Sequence, residues 1–333
     1  MGEGACYHLA MVRSRREVLL AAAGAVTAAR AAAGEIPLVP FGDHRVSRLI
    51  VGGNPISGTS HVSPELSREM VDYFTGANAR RLLRNCQAAG INTWQSRGDR
   101  HILRLLNEYR LEGGGIQWIG QTASELADTE RNIREMAKAG AIGIYHHGSK
   151  TDRAWQTGKI EEVREALKVM RDAGVRVGLG THIPEVLDHA EEKGWDVDFY
   201  MTCLYNLSRT EEEASRLAGL GARASSPATS EPAVVSGMPA GTPALPSGEL
   251  FWDPDRERML ERVRRTSKQC LIFKVYGASR HCGSRERMRA ALRLAFDFAK
   301  PHDCVVIGMF PKYKEQVREN CELVVEAARS KAS

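Results

Sequence analysis

From about residue 48 onward, short apolar runs alternate with longer stretches in which apolar residues recur every three or four positions. The runs fall at 49–53, 92–95, 117–121, 141–145, 176–180, 199–203, 270–275 and 304–308. They are short and continuously apolar, as expected of parallel strands buried on both faces. In the stretch 159–173, Ile160, Val163, Leu167 and Met170 share one helical face, and Gly174 ends the pattern. In 313–328, Val317, Cys321, Val324 and Val325 do the same. Ala-Gly pairs at Ala89-Gly90, Ala139-Gly140 and Ala173-Gly174 close helices just before the next apolar run. Eight strand–helix units predict an α/β fold of the closed (β/α)8 TIM-barrel type. An open doubly wound sheet fits less well, because no GxGxxG follows the first strand.

Two stretches stand outside this rhythm. Residues 219–248 are rich in Ala, Pro, Ser and Gly and carry no apolar period, so a flexible insertion is expected there, after the sixth strand. At the start, Arg15-Arg16 precede an Ala-rich apolar run and small residues at Ala31 and Ala33. That order predicts a twin-arginine signal peptide over 1–33, cleavage near Gly34 and an extracytoplasmic mature barrel over 34–333. The apolar run is too short to span a membrane.

The remaining 300 or so residues suit one barrel. A formal charge of +5, with Lys and Arg interleaved among Glu and Asp, excludes a nucleic-acid footprint. None of the seven cysteines forms a CxxC pair, so neither a zinc ribbon nor a redox motif is suggested.

Several short motifs, in order, resemble the aldo/keto reductases. Val46-Ser47-Arg48-Leu49-Ile50-Val51-Gly52-Gly53 is similar to that family's opening strand. Ala89-Gly90-Ile91-Asn92 is similar to its second, Tyr205-Asn206-Leu207 to the run after its sixth, and Glu319-Asn320 to its cofactor-binding tail. The resemblance implies an oxidoreductase fold binding NADP(H), with Phe273 stacked on the nicotinamide and Lys312, Glu319 and Asn320 holding the nucleotide. It also implies a catalytic Asp, Tyr, Lys and His. The matching positions hold Gln95, Arg100, Gln121 and His146, so only the His survives. The Ser-Asn and Gln amide clamps fall on Gly180-Thr181 and Thr202. Ordinary reductase chemistry is therefore not expected, since neither Gln nor Arg can donate a proton as that Tyr does.

Strand ends nevertheless aim a distinct set at the expected pocket: Asn54, Gln95, Arg97, Gln121, His146, His147, His182, Tyr205 and Lys274. Amides and Arg suit a hydroxylated or anionic small molecule. The histidines admit three roles. His146, or His101 in a rearranged donor set, serves as acid/base; or His146 or His147 joins His182 and Asp152 on a metal; or they are structural. Lys274 invites a Schiff-base role or a plain ion pair. The leading expectation is an exported barrel enzyme acting on a sugar-like or carbonyl substrate. The alternatives are a non-redox lyase, isomerase or hydrolase, and an inactive binding protein.

Overall fold

The computed structural model describes residues 35–219 and 249–330. The expected signal segment lies outside the described residues, as does the expected insertion apart from Gly219. The described residues begin with a hairpin, β1 (Leu38–Phe41) and β2 (His44–Ser47). Eight parallel strands follow: β3 (Leu49–Gly52), β4 (Thr93–Arg97), β5 (Gln117–Gln121), β6 (Gly143–His146), β7 (Arg176–Thr181), β8 (Phe199–Cys203), β9 (Gln269–Phe273) and β10 (Cys304–Gly308). They close into a barrel in chain order, with Val305 of β10 opposite Leu49 of β3. This is the (β/α)8 barrel that the alternation predicts.

Because side chains alternate along a strand, each strand feeds two cores. Trp94, Trp118, Leu179 and Val305 face outward into the layer beneath the helices. Ile119, Tyr145, Phe199, Met201, Leu271 and Val306 face inward and fill the barrel. The inner aromatics fit because small residues stand beside them. A Cβ on Gly178 would lie 2.4 Å from the Phe199 ring, and one on Gly143 would lie 2.9 Å from Phe41.

The hairpin was not apparent in the sequence. It plugs the end of the barrel where the strands begin. Phe41, wholly buried, meets Phe199 edge-on at 5.0 Å, and the Arg176 guanidinium lies 4.8 Å from the centre of its ring. The Asn92 side chain fixes the hairpin by accepting from the Ser47 amide at 2.8 Å and donating to the Arg45 carbonyl at 2.9 Å.

Helices α1 (Pro64–Tyr73), α2 (Gly76–Ala88), α3 (Arg100–Leu111), α4 (Thr129–Lys138), α5 (Gly148–Gln156), α6 (Val163–Asp172) and α7 (Pro184–Glu192) surround the first part of the barrel. α8 (Glu211–Gly219), α9 (Pro254–Arg265), α10 (Arg285–Phe298) and α11 (Val317–Ser330) complete it. Side-chain caps start several of them: Ser63 on α1, Asp99 on α3, Asp128 on α4, His147 on α5 and Ser284 on α10. Gly90, Gly140 and Gly174 follow their helices at φ +93°, +75° and +73°, the left-handed turn in which glycine is unstrained. No helix among the described residues is long and apolar enough to cross a membrane.

Candidate active site

A cavity of about 270 Å³ opens at the C-terminal ends of the strands, opposite the hairpin. Barrel enzymes do their chemistry at that end. β4 contributes Gln95 and Arg97 to its wall, β5 Gln121, and the loop after β3 Asn54 and His61. His147 follows β6, His182 follows β7, and Phe273 and Lys274 come from the end of β9. Phe273, Glu319 and Asn320 also lie on this wall. The cavity thus gathers most of the residues expected from sequence.

Three expected residues lie elsewhere. His146 sits on the outer face of β6, where its Nδ1 pairs with the Thr151 hydroxyl at 2.8 Å. Burial, the neighbouring His147 and Lys150 push its pKa down to about 3. Tyr205 is wholly buried and hydrogen-bonds to Asp253 at 3.0 Å and His281 at 2.9 Å. Lys312 is ion-paired with Glu69. His101 is exposed on α3, and Arg100, at the position of the expected proton donor, begins that helix.

Asp152, on α5, is fully buried and collects four donors. These are the Thr181 hydroxyl at 2.5 Å, the Ser208 hydroxyl at 2.7 Å, the His182 backbone amide, and the His182 Nδ1 at 2.6 Å. The His182 ring also lies against the Cys203 thiol and packs edge-on to Phe273 at 5.9 Å. Burial opposes charge on this imidazole, but Cys203 and Asp152 outweigh it and hold its pKa up to about 10. The His182 imidazole is braced at Nδ1 by a carboxylate that is itself held by four donors.

His147 is the opposite case. Its Nδ1 accepts the Ser149 amide at 3.1 Å as the cap of α5. Burial, then His182, Arg97 and Lys150, bring its pKa down to about 4, so the ring is neutral. With Nδ1 taken as an acceptor, the ring proton belongs on Nε2. Gln95 donates to the buried Tyr145 hydroxyl at 2.7 Å. Arg97 is ion-paired with Glu125 and lies 3.7 Å from Asp99.

Lys274 is unlike every other cation here. It leaves β9 at φ +58°, a left-handed conformation uncommon outside glycine. Its Nζ is buried and has no hydrogen-bond partner among the described residues. It lies 5.6 Å from the centre of the Phe251 ring. Burial lowers the amine's pKa from its ordinary value, against the pull of Cys203 and Glu249.

Among the described residues, no group of three or more His, Cys, Asp or Glu could hold a metal ion. His182 and Asp152 do meet, but as a hydrogen-bonded pair, with His146 turned away on the other side of β6.

No protein-family model matches the chain, and no curated protein matches it. It is similar to solved structures of other barrels. One is the phospho-2-dehydro-3-deoxyheptonate aldolase (DAHP synthase) of Thermotoga maritima, at 12% identity over 90% of this chain and 74% of that one, TM-score 0.47. Another is the N-acetylmannosamine-6-phosphate 2-epimerase of Clostridium perfringens, at 14% identity over 78% and 85%, TM-score 0.42. A third is the 3-dehydroquinate dehydratase of Geobacillus kaustophilus, at 9% identity over 89% and 98%, TM-score 0.47. Likenesses this faint carry no statement about reaction or substrate.

The resemblance to the aldo/keto reductases is overturned. No family model and no curated protein supports it. Physically, its motifs are those any such barrel needs: a glycine closing a helix, then a buried strand. The one retained catalytic position, His146, faces away from the cavity. Nor do the comparisons lend support to the twin-arginine signal expected with it.

Proposed function

We propose that this protein is a non-redox lyase that forms an imine between Lys274 and a β-hydroxy carbonyl substrate. The observation that carries this reading is the buried, unpartnered Nζ of Lys274 beside a cavity lined by imidazoles and amides. An amine nucleophile must be uncharged, and desolvation shifts Lys274 towards that form. The amine attacks the carbonyl carbon, and the carbonyl oxygen leaves as water. One of that water's protons comes from the amine and the other from His182. The resulting iminium draws electrons from the neighbouring carbon. Loss of a proton and of the β-hydroxyl group, or cleavage of the adjacent C–C bond, then becomes accessible, and hydrolysis frees Lys274. The neutral His147 donates from Nε2 to a substrate oxygen. Asn54, Gln95 and Gln121 offer the paired hydrogen bonds that hydroxyl groups require.

The test is reductive trapping. The purified protein is incubated with pyruvate, dihydroxyacetone or a 3-hydroxy ketone in the presence of sodium cyanoborohydride, and the adduct is located by peptide mass mapping. A reduced adduct on Lys274, absent from Lys274→Met, is expected. No adduct with any carbonyl, or one that persists in Lys274→Met, overturns the proposal.

A further inference from the structure

Where the described chain resumes, Glu249 crosses to the loop after β3 and accepts from the His61 ring Nδ1 at 2.8 Å. His61 lies on the cavity wall, with its Nε2 3.3 Å from the Asn54 amide nitrogen. A guanidinium and an amine gather at this spot as well. Arg280 donates to the His61 carbonyl at 3.3 Å and stacks on Phe251 at 3.7 Å. Lys274 lies over the same Phe251 ring at 5.6 Å. Glu249 feels the charge of His61, Lys274 and His182, and Arg280 feels that of Glu249. One carboxylate of the chain therefore sits against a cluster of imidazoles, a guanidinium and an amine at the edge of the proposed reaction site.

We infer that His61 and Arg280, beside Lys274, form an anion subsite that Glu249 fills in the free protein and that a carboxylate on the substrate takes over on binding. The inference rests on the reading of Lys274 as the imine-forming residue for its placement of the carbonyl, but not for the subsite itself. Several features favour it. His61 holds φ +55°, an uncommon backbone conformation for a non-glycine residue, which aims its ring at Glu249. The subsite adjoins Lys274, so a carboxylate held there would set its own α-keto carbon beside Nζ. The exchange replaces one carboxylate by another, so the Arg280 guanidinium keeps a counter-charge throughout. The substrate class is thereby narrowed to hydroxylated α-keto acids rather than neutral ketoses.

Binding of pyruvate and of its neutral analogue hydroxyacetone is measured by calorimetry on the wild type, Glu249→Gln, Arg280→Met and Lys274→Met. Removing the internal competitor in Glu249→Gln is expected to tighten pyruvate binding about tenfold or more while leaving hydroxyacetone unchanged. Arg280→Met is expected to abolish the preference for pyruvate. Lys274→Met cannot form an imine and separates the two claims. If it still binds pyruvate in preference to hydroxyacetone while trapping fails in the wild type, the subsite stands and the imine reading falls. Equal binding of the two probes by wild type and Glu249→Gln overturns the subsite, even if an imine is trapped.

Discussion

Two lysines stand at opposite ends of this barrel. At the end where the strands begin, Lys300 Nζ donates to the Val263 carbonyl at 2.6 Å and pairs with the wholly buried Asp303 at 2.9 Å. Asp303 also accepts from the Cys270 amide at 2.7 Å. At the other end, Lys274 Nζ has no partner among the described residues. Only the first of these amines is compensated. A satisfied charge ties elements together, whereas an unsatisfied one costs stability and is retained where reactivity needs it. The hairpin end is closed by apolar packing, and the cavity end carries the positive-φ backbone of His61, Lys274, Ala278 and Ser279.

The sharpest way to break this contrast is to neutralise each lysine. Lys300→Met should leave Asp303 without its cation and lower the unfolding free energy by about 3–5 kcal/mol, the usual cost of breaking a buried pair. Trapping of a keto acid should survive it. Lys274→Met should abolish trapping while leaving the denaturation midpoint unchanged or raised, because no partner is orphaned. A Lys274→Met variant as unstable as Lys300→Met would mean that both lysines are structural.

A smaller effect should appear in the pH dependence. The folded-state pKa of His182 lies near 10, above its ordinary 6.5, so its stabilising contribution is complete below about pH 6.5 and is lost as pH rises towards 10. Urea melts across that window should show falling stability in the wild type and a flatter profile in His182→Gln. An unchanged slope in the variant would remove His182 from the role of charged proton carrier.

The smallest effect belongs to His147, whose folded pKa of about 4 lies below the ordinary 6.5. The unfolded chain takes up a proton that the folded one refuses, so this residue's contribution is complete above pH 6.5 and declines as pH falls towards 4. His147→Gln should flatten that acid limb and cost about 1 kcal/mol at neutral pH through the lost cap. A neutral-pH loss well above 2 kcal/mol would show that the ring supports more than the first turn of α5.

The barrel strands were legible because each buries both faces and so reads as a short apolar block ended by a helix-closing glycine. The hairpin was not. Its two strands have four residues each, and Phe41 reveals its purpose only through Phe199 and Arg176, far along the chain. Within the site, sequence named the adjacent pair His146 and His147, but alternation says only that they point to opposite faces. Which one faces inward depends on the barrel's shear, and it is His147 that lines the cavity. Asp152 and His182 were brought together as possible metal ligands, and they meet instead by a hydrogen bond. Cys203, Ser208, His61 and Glu249 carry no local signal, since each acquires its part only from residues distant in the chain. The two separate cores were equally invisible, because an apolar residue does not announce which side of a strand it takes.

The plug has a consequence for how the molecule assembles. Phe41 is made early, yet its binding surface is built from Gly143, Arg176 and Phe199, more than a hundred residues later. Contacts of such sequence separation form slowly, because a long loop must close before they are rewarded. The hairpin must therefore wait, exposing an aromatic side chain, until the sixth barrel strand has been laid down. An early piece to leave the ribosome is among the last to find its place. Any delay in closing the barrel prolongs the interval in which Phe41 can stick to other chains.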